Sequence, residues 1–308
     1  MSTALRADPT EPQTKQGPEP AQRKIRLTFP GALMAPGISI LALLSIIPFI
    51  TLIVMSFSRV RLLGGLQLDW VGLDNWIRVL QDMDMWASWW RTAIYLVGTL
   101  GLEMVLGVGI ALLLHRVVRG RGLLLSLVLL PMFVAPVIVG LLGRYLTDST
   151  FGLYSWALSN LGYDGDILGG STSAMTAVIL MDVWEWTPLI AMITLAGLSG
   201  VNPSVLEAAS LDGAGYWSTL RHVVFPSITG ILLVAFLIRA MDAVRYYDII
   251  TVTTNGGPAD ATKTVPIRLF ETAFRFFDLG YAAAIGLMML VVTILISKGF
   301  VAVLQRKA

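Results

Sequence analysis

The 308-residue chain has no cysteine, only two histidines, and just 14% charged residues. The missing cysteine excludes a disulfide scaffold, a thiol nucleophile and cysteine-held zinc or iron–sulfur centres. His115 and His222 fall in separate segments, which leaves little for metal or acid–base chemistry. A net charge of +2 supplies no concentrated basic face, so nucleic acid is not a partner. No G-x-x-x-x-G-K-[ST] stretch occurs, and a P-loop for nucleotide phosphates is therefore absent from this sequence. Soluble domains carry roughly 25% charged residues, far more than are available here to cover a water-facing exterior. What is plentiful is apolar: 56% of residues are hydrophobic, with a mean hydropathy of +0.74.

A membrane-spanning helix needs roughly 20 mostly apolar residues to cross the hydrocarbon core. Segments at about 33–57, 92–114, 123–144, 174–198, 227–250 and 281–303 meet that test. They are continuous runs without the period of two that barrel strands require, so the fold class is an all-α integral membrane protein of six transmembrane helices. Residues 1–29 are polar, carry Pro9, Pro12, Pro18 and Pro20, lack the apolar core of a signal peptide, and read as a disordered tail. Residues 30–308 form the six-span domain. Pro131 and Pro136 predict a kink in the third span, and Ala282 with Gly286 gives a small-residue spacing suited to helix packing.

Lysine and arginine collect on one side of this arrangement: Arg23, Lys24 and Arg26 in the tail, Arg116, Arg119 and Arg121 after the second span, Lys298, Arg306 and Lys307 at the end. The positive-inside rule makes that side, and both termini, cytoplasmic. The opposite loops hold Asp69, Asp74, Asp82, Asp84, Asp148, Asp164 and Asp166, and Trp86, Trp89 and Trp90 suit an outer aromatic belt. The outer loops 58–91, 145–173 and 251–280 are long enough for short helices and for recognition of a partner from outside.

The loop at 200–226, between the fourth and fifth spans, carries the clearest local signal. Asn202 is a good N-cap, Pro203 suits the first helical position, and Gly213 suits a left-handed stop. These predict a short helix projecting on the cytoplasmic side, followed by a bend and a second helix from about Tyr216 that bears Arg221 and His222. The pattern Glu207-Ala208-Ala209, three residues, Gly213, nine residues, Val223, one residue, Phe225-Pro226 resembles the EAA loop of binding-protein-dependent ABC import permeases. The family usually has Ile and Leu where this chain has Val223 and Phe225; both remain apolar and the spacing is kept.

Three further stretches resemble sugar-type members of that family, the maltose and glycerol-3-phosphate importers: Val71–Trp76, Thr254–Thr262 and Asp278–Ala284. The resemblance implies a permease subunit of a type I ABC importer in the bacterial cytoplasmic (inner) membrane. It implies a disaccharide such as trehalose as cargo, although the motifs themselves encode no particular sugar. Its implied partners are a second homologous permease, a dimer of ABC ATPase subunits, an extracytoplasmic sugar-binding protein and membrane lipid. The chain itself would be non-catalytic and bind no cofactor, with ATP and Mg used by the partner ATPase. By the same resemblance, Glu207, Ala208, Ala209, Asp212, Gly213 and Ala214 couple the spans to the ATPase, and Asn255, Gly256, Gly257 and Pro258 contact the binding protein. Gly256, Gly257 and Pro258 alone would suggest only a turn, in a stretch flexible by composition.

Charged residues inside the spans cost about 2.5–3.5 kcal/mol each at the bilayer centre and need partners or water. Glu103 reads as a buried structural hydrogen-bonding group in preference to a pathway-facing one. Asp182 and Glu185 are three apart and share a helix face, with Trp184 and Trp186 beside them. Gripping a sugar and anchoring at the interface explain this group equally well. Arg239 and Asp242 are spaced to pair with each other, and Arg245, Tyr246, Tyr247 and Asp248 read as a polar, aromatic half-helix of a water-filled sugar cavity. A gate or an inter-subunit contact accounts for them nearly as well. Two other functional classes use parts of the same pattern: an ion-driven secondary transporter and a non-transporting membrane scaffold.

Overall fold

The computed structural model describes residues 28–305 apart from positions 63 and 118. The tail at 1–27 with Arg23, Lys24 and Arg26, and the terminal Arg306 and Lys307, lie outside the described residues. Thirteen α-helical segments and one short hairpin are present among those described. Five helices are long and apolar enough to cross a membrane, and a bent pair supplies a sixth crossing if counted as one span.

The described residues divide into two compact units between Thr51 and Leu52. The first consists of α1 (Thr28–Ser56) up to Thr51, a helix with Pro36 and Pro48 inside it. Its apolar side chains are broadly exposed, among them Met34, Leu41, Leu44 and Ile47, a surface that hydrocarbon can solvate.

The second unit contains the remaining elements. Strands β1 (Ser58–Arg61) and β2 (Gln67–Trp70) pair antiparallel, with Ser58 opposite Trp70 and Val60 opposite Leu68. After α2 (Asp74–Gln81), the 34-residue α3 (Met83–Arg116) opens on Asp82, whose carboxylate accepts from the backbone N–H groups of Asp84 and Met85. Ser88, Thr92, Tyr95, Thr99, Glu103, Gly107 and Ala111 are all buried, a stripe at steps of three and four along α3. That stripe meets α7 (Ser171–Ser199) at close range: a Cβ on Gly107 would lie 2.7 Å from the Ile190 side chain.

The third span is broken where the sequence predicted only a kink. Helix α4 (Arg121–Leu129) runs into a tight turn at Leu130–Phe133, and α5 (Pro136–Leu146) departs at 90°. Pro136 cannot donate a backbone hydrogen bond, and residue 135 ahead of it is extended at ψ 137°, so the helix restarts in a new direction. Helices α6 (Leu153–Ser159), α8 (Pro203–Leu211) and α9 (Tyr216–Thr219) follow, α6 before α7 and the other two after it. A π turn at Leu220–Val224 leads from α9 into α10 (Phe225–Ala243).

The fifth span ends earlier than the apolar run to residue 250 suggested. Beyond Ala243 the chain tightens into i→i−3 bonds at Arg245 and Tyr246, and helix resumes as α11 (Asp248–Thr253). Arg245, Tyr246 and Tyr247 therefore occupy a break, which corrects the half-helix expected of them. Two further helices then follow, the short α12 (Val265–Phe270) and the membrane-crossing α13 (Leu279–Gln305).

Three apolar layers stack along the unit. Ala111, Leu114, Leu195, Leu198 and Ile228 pack near the α8 end. Tyr95, Val178, Val183, Ile249 and Ile267 lie in the middle. Val79, Met85, Val265, Tyr281 and Ile285 close the far end.

Candidate functional site

Arg239 on α10 is fully buried and is the hub of the interior polar groups. Its Nε donates to Glu103 Oε1 at 3.1 Å, Nη2 lies 3.0 Å from the same oxygen, and Nη2 also donates to Asp182 Oδ2. Asp242 is a weaker, half-exposed partner of Nη1 at 3.4 Å. The pairing expected between Arg239 and Asp242 is thus present but subordinate to two partners on other helices. Glu103 makes the buried structural bond the sequence suggested. Both carboxylates and the guanidinium are shielded from solvent, where ion pairs are only weakly screened and a lost partner is costly. Trp186 and Tyr246 add aromatic faces 5.2 and 5.7 Å from the guanidinium carbon. The hydroxyl of Tyr246 donates to Glu185 Oε2 at 2.8 Å, and the ring stacks on Tyr95 at 6.3 Å.

Directly beside this network the breaks in the third and fifth spans meet. Pro136, Trp186, Asp242, Arg245, Tyr246, Tyr247 and Asp248 line a cavity of about 250 Å³. Five of the nine residues expected along the pathway therefore line one cavity. Asp182, Glu185 and Arg239 sit buried behind it, while Trp184 is half exposed and does not line it. Arg245 is held by Asp242 at 3.0 Å. The wall is aromatic with charged hydrogen-bonding groups of both signs, which suits a small polyhydroxylated molecule. Tyr95 and Pro136 were missed from the sequence: Tyr95 lies in an apolar run without local signal, and Pro136 was read only as a bend.

At one end of the unit, α8 stands free. The Asn202 side chain accepts from the Ser204 N–H at 3.0 Å, capping the start. At the other end Ala214 N–H reaches Ala209 O at 3.0 Å and Gly213 N–H reaches Ser210 O at 3.1 Å, around a Gly213 φ of +74°. Glu207, Ala208, Asp212 and Gly213 are exposed and Ala209 and Ala214 half-buried; Leu211 is 88% and Trp217 77% exposed. Arg116, the last residue of α3, lies 3.9 Å over the Tyr216 ring beside this loop.

At the opposite end the stretches around Asn75 and Gly280 are fastened together. Asn75 Nδ2 donates to Ser56 O and Ser58 O at 3.1 and 3.0 Å, and Gly280 packs so closely on Ser58 and Asn75 that a side chain would clash. Asp82 accepts from Arg268 Nη2 at 2.7 Å and from the Tyr281 hydroxyl at 2.6 Å. Burial works to raise the Asp82 carboxyl, but these hydrogen bonds and the Arg268 charge outweigh it and hold it below its usual value.

The stretch from Asn255 to Thr262, expected to be flexible, is pinned. Thr254 and Thr262 hydroxyls share a 2.6 Å bond, Thr262 Oγ1 donates to Gly257 O at 2.8 Å, and Arg275 Nη2 donates to Asn255 Oδ1 at 3.2 Å. Lys263 bridges Asp260 and Glu271 at 2.6 and 3.0 Å; although burial opposes it, these two carboxylates raise its ammonium above the usual value. Asn255 is exposed, Gly257 and Pro258 are half-buried and Gly256 is buried.

Apolar crossings around a buried charge cluster, a polar cavity at two helix breaks and a free-standing loop helix define a multi-pass membrane transport component. Residues 103–308 match the family model of the binding-protein-dependent transport system inner membrane component. The chain belongs to that family and is a multi-pass inner-membrane protein. It is 34% identical over 225 residues to the trehalose/maltose transport system permease protein MalF of Thermococcus litoralis, covering 73% of this chain and 76% of that one. It is 32% identical to the sn-glycerol-3-phosphate transport system permease protein UgpA of Yersinia pestis, over 75% and 78% of the two chains. To the trehalose transport system permease protein SugA of Mycobacterium tuberculosis it is 30% identical, over 89% and 87%. The fold matches a bacterial ABC transporter involved in the import of the acidic polysaccharide alginate, with a TM-score of 0.80 at 20% identity over 91% and 96% of the chains. It also matches a bacterial alginate ABC transporter in complex with an alginate pentasaccharide-bound periplasmic protein, with a TM-score of 0.77 at 20% identity over 89% and 93%.

Proposed function

We propose that this chain is one of two permease subunits of an ATP-driven carbohydrate importer, with a disaccharide of the trehalose or maltose type as cargo. The observation that carries the reading is the free helix α8, capped at both ends and buried nowhere along its length. A short helix that holds its shape through its caps and buries no side chain fully is built to be received by another protein. In this reading the receiver is a dimer of ATPase subunits on the cytoplasmic side, with both termini of this chain on that side. ATP and Mg are used there, and this chain binds neither.

The cavity at the two helix breaks handles the sugar: Trp186 and Tyr247 face the C–H surfaces of a pyranose, and Asp242, Arg245 and Asp248 exchange hydrogen bonds with its hydroxyls. Glu103, Asp182 and Arg239 hold three helices around that cavity. Relatives named for trehalose, for trehalose and maltose, and for glycerol-3-phosphate support a small polar cargo. The alginate transporter solved with its loaded periplasmic protein supports delivery by a binding protein from outside, and the pinned 255–262 loop offers it a fixed surface.

The test is to tag the chain, express it with its native neighbours and purify it in mild detergent. Recovery of a second multi-spanning chain and a Walker-motif ATPase, with trehalose- or maltose-stimulated ATP hydrolysis once the binding protein is added, is the expected result. Recovery of the chain alone, with ion-driven uptake surviving in vesicles, overturns the reading.

A further inference from the structure

A second cavity, of about 510 Å³, lies in the segment between α5 and α7. The aromatic residues lining it are Phe151, Trp156 and Tyr163, and its polar wall includes Ser149, Thr150 and Asp164. Local geometry fixes it. Asp148 Oδ1 accepts from the backbone N–H groups of Thr150 and Phe151 at 2.8 and 3.3 Å, turning the chain into α6. At the end of α6, Tyr163 N–H reaches Leu158 O and Gly162 N–H reaches Ser159 O, both at 3.0 Å, which folds the chain back so that Tyr163 returns to the Trp156 side. The Tyr163 ring lies over Gly165, where a Cβ would sit 2.9 Å from the ring. The rings are available: Phe151 is 68%, Trp156 66% and Tyr163 42% exposed.

A pyranose has C–H faces and a rim of hydroxyls. Aromatic planes suit the first, and Ser, Thr and carboxylate oxygens suit the second. Ser149, Thr150 and Asp164 stand exposed beside the rings, so hydroxyls and a carboxylate are presented together with the aromatic planes. The position matters as well. Pro136, at the start of α5, lines the cavity beside Arg239, and the second cavity begins just past the end of α5 at Leu146. Eleven helical residues rise about 16 Å, the length of a few sugar rings.

We infer that the 149–165 cavity is a second saccharide subsite, a landing place for neutral pyranosides one α5 length from the cavity at the helix breaks. The inference rests on the sugar-import reading above and adds to it a site on the side opposite α8. A sugar released by a binding protein meets this subsite first and reaches the deeper cavity along α5.

The absence of cysteine makes a direct test available, because Ser159→Cys introduces the sole thiol of the chain into the cavity wall. The labelling rate of that thiol by a small maleimide is measured in the purified assembly, in detergent and in vesicles, with trehalose, maltose or the acyclic polyol sorbitol. At about ten times its dissociation constant, the bound disaccharide is expected to slow labelling by about tenfold, with sorbitol without effect. Trp156→Ala added to Ser159→Cys is expected to remove the protection. A thiol introduced in β2 by Gln67→Cys, exposed and outside both cavities and α8, reports on any general change of reactivity and is expected to be unaffected.

No protection by either sugar, in an assembly that still imports one of them, overturns the inference and leaves the import reading standing. Protection without import of either sugar supports the subsite and overturns the import reading. A thiol blocked by assembly or by vesicle lipid regardless of sugar identifies a protein- or lipid-facing surface and overturns the inference.

Discussion

Arg239 on α10 and Glu103 on α3 are 136 positions apart in the chain, yet the guanidinium Nε and the carboxylate Oε1 are 3.1 Å apart in the interior. Asp182 on α7 completes the cluster, so one cation joins three membrane-crossing helices. Breaking a buried pair by removing one partner typically costs about 3–5 kcal/mol, because the remaining charge is left uncompensated. Arg239→Met is expected to lose an amount of that order in thermal unfolding of the detergent-purified chain. Combining it with Glu103→Gln and Asp182→Asn is expected to recover most of the loss. A single variant as stable as the parent would show that the cluster does not hold these helices.

The α8 projection gives a prediction that separates coupling from binding. Gly213→Ala forces a Cβ into left-handed backbone at a cost of about 1–2 kcal/mol, and Asn202→Ala removes an N-cap worth about 1 kcal/mol. Neither residue lines a cavity. Sugar-stimulated ATP hydrolysis by the reconstituted assembly is expected to fall in both variants while saccharide binding is kept; equal loss of both activities would count against a coupling role.

Two aromatic residues of the central region should behave differently. Tyr247 lines the cavity at the helix breaks, whereas Trp184 is half exposed and outside it. Tyr247→Ala is expected to weaken saccharide binding by about threefold to tenfold, the range of one aromatic contact. Trp184→Ala is expected to leave it within about twofold, as equilibrium binding of labelled trehalose or maltose will read.

The fastening at Asp82 carries a pH signature. The Asp82 carboxyl is held below its unfolded value, so its stabilising contribution is fully present above that value and disappears as pH falls through the lower folded one. Asp82→Asn is expected to lower the thermal midpoint at neutral pH and to flatten its decline below about pH 4, where the parent loses this contribution. Lys263 behaves in the opposite sense: its ammonium is raised, so its contribution is lost only as pH climbs through a value above the ordinary lysine range. A midpoint with the same acid limb in parent and Asp82→Asn proteins would refute the assignment for Asp82.

Much of this arrangement is legible in the sequence, for reasons that differ by element. The long apolar runs announce themselves, and Asn202, Pro203 and Gly213 fix α8 through local backbone chemistry. The break at Pro136 is visible as a proline, but its 90° angle depends on what packs against each half. The end of α10 at Ala243 is hidden because apolar Ile249 and Ile250 extend the run past it. Glu103, Asp182 and Arg239 advertise a need for partners, though spacing along one helix favours Asp242 over the two carboxylates that arrive from elsewhere. Trp184 and Trp186 share a motif and a residue type; only the helix rotation distinguishes them. The cavity at 149–165 depends on how a loop folds back and had no periodic pattern to reveal it.

Helix α3 has no internal proline and at 34 residues measures about 51 Å. Its first turn is tied through Asp82 to Arg268 and Tyr281, its midpoint carries Glu103, and its last residue rests on Tyr216 beside α8. Such an element behaves as a connecting rod. A tilt of about one degree about either end sweeps the other through roughly 1 Å, enough to lengthen a hydrogen bond past usefulness. The α8 loop, the central charge cluster and the Asp82 clasp thus share one mechanical member, and a displacement at any of the three is delivered to the others without passing through a joint.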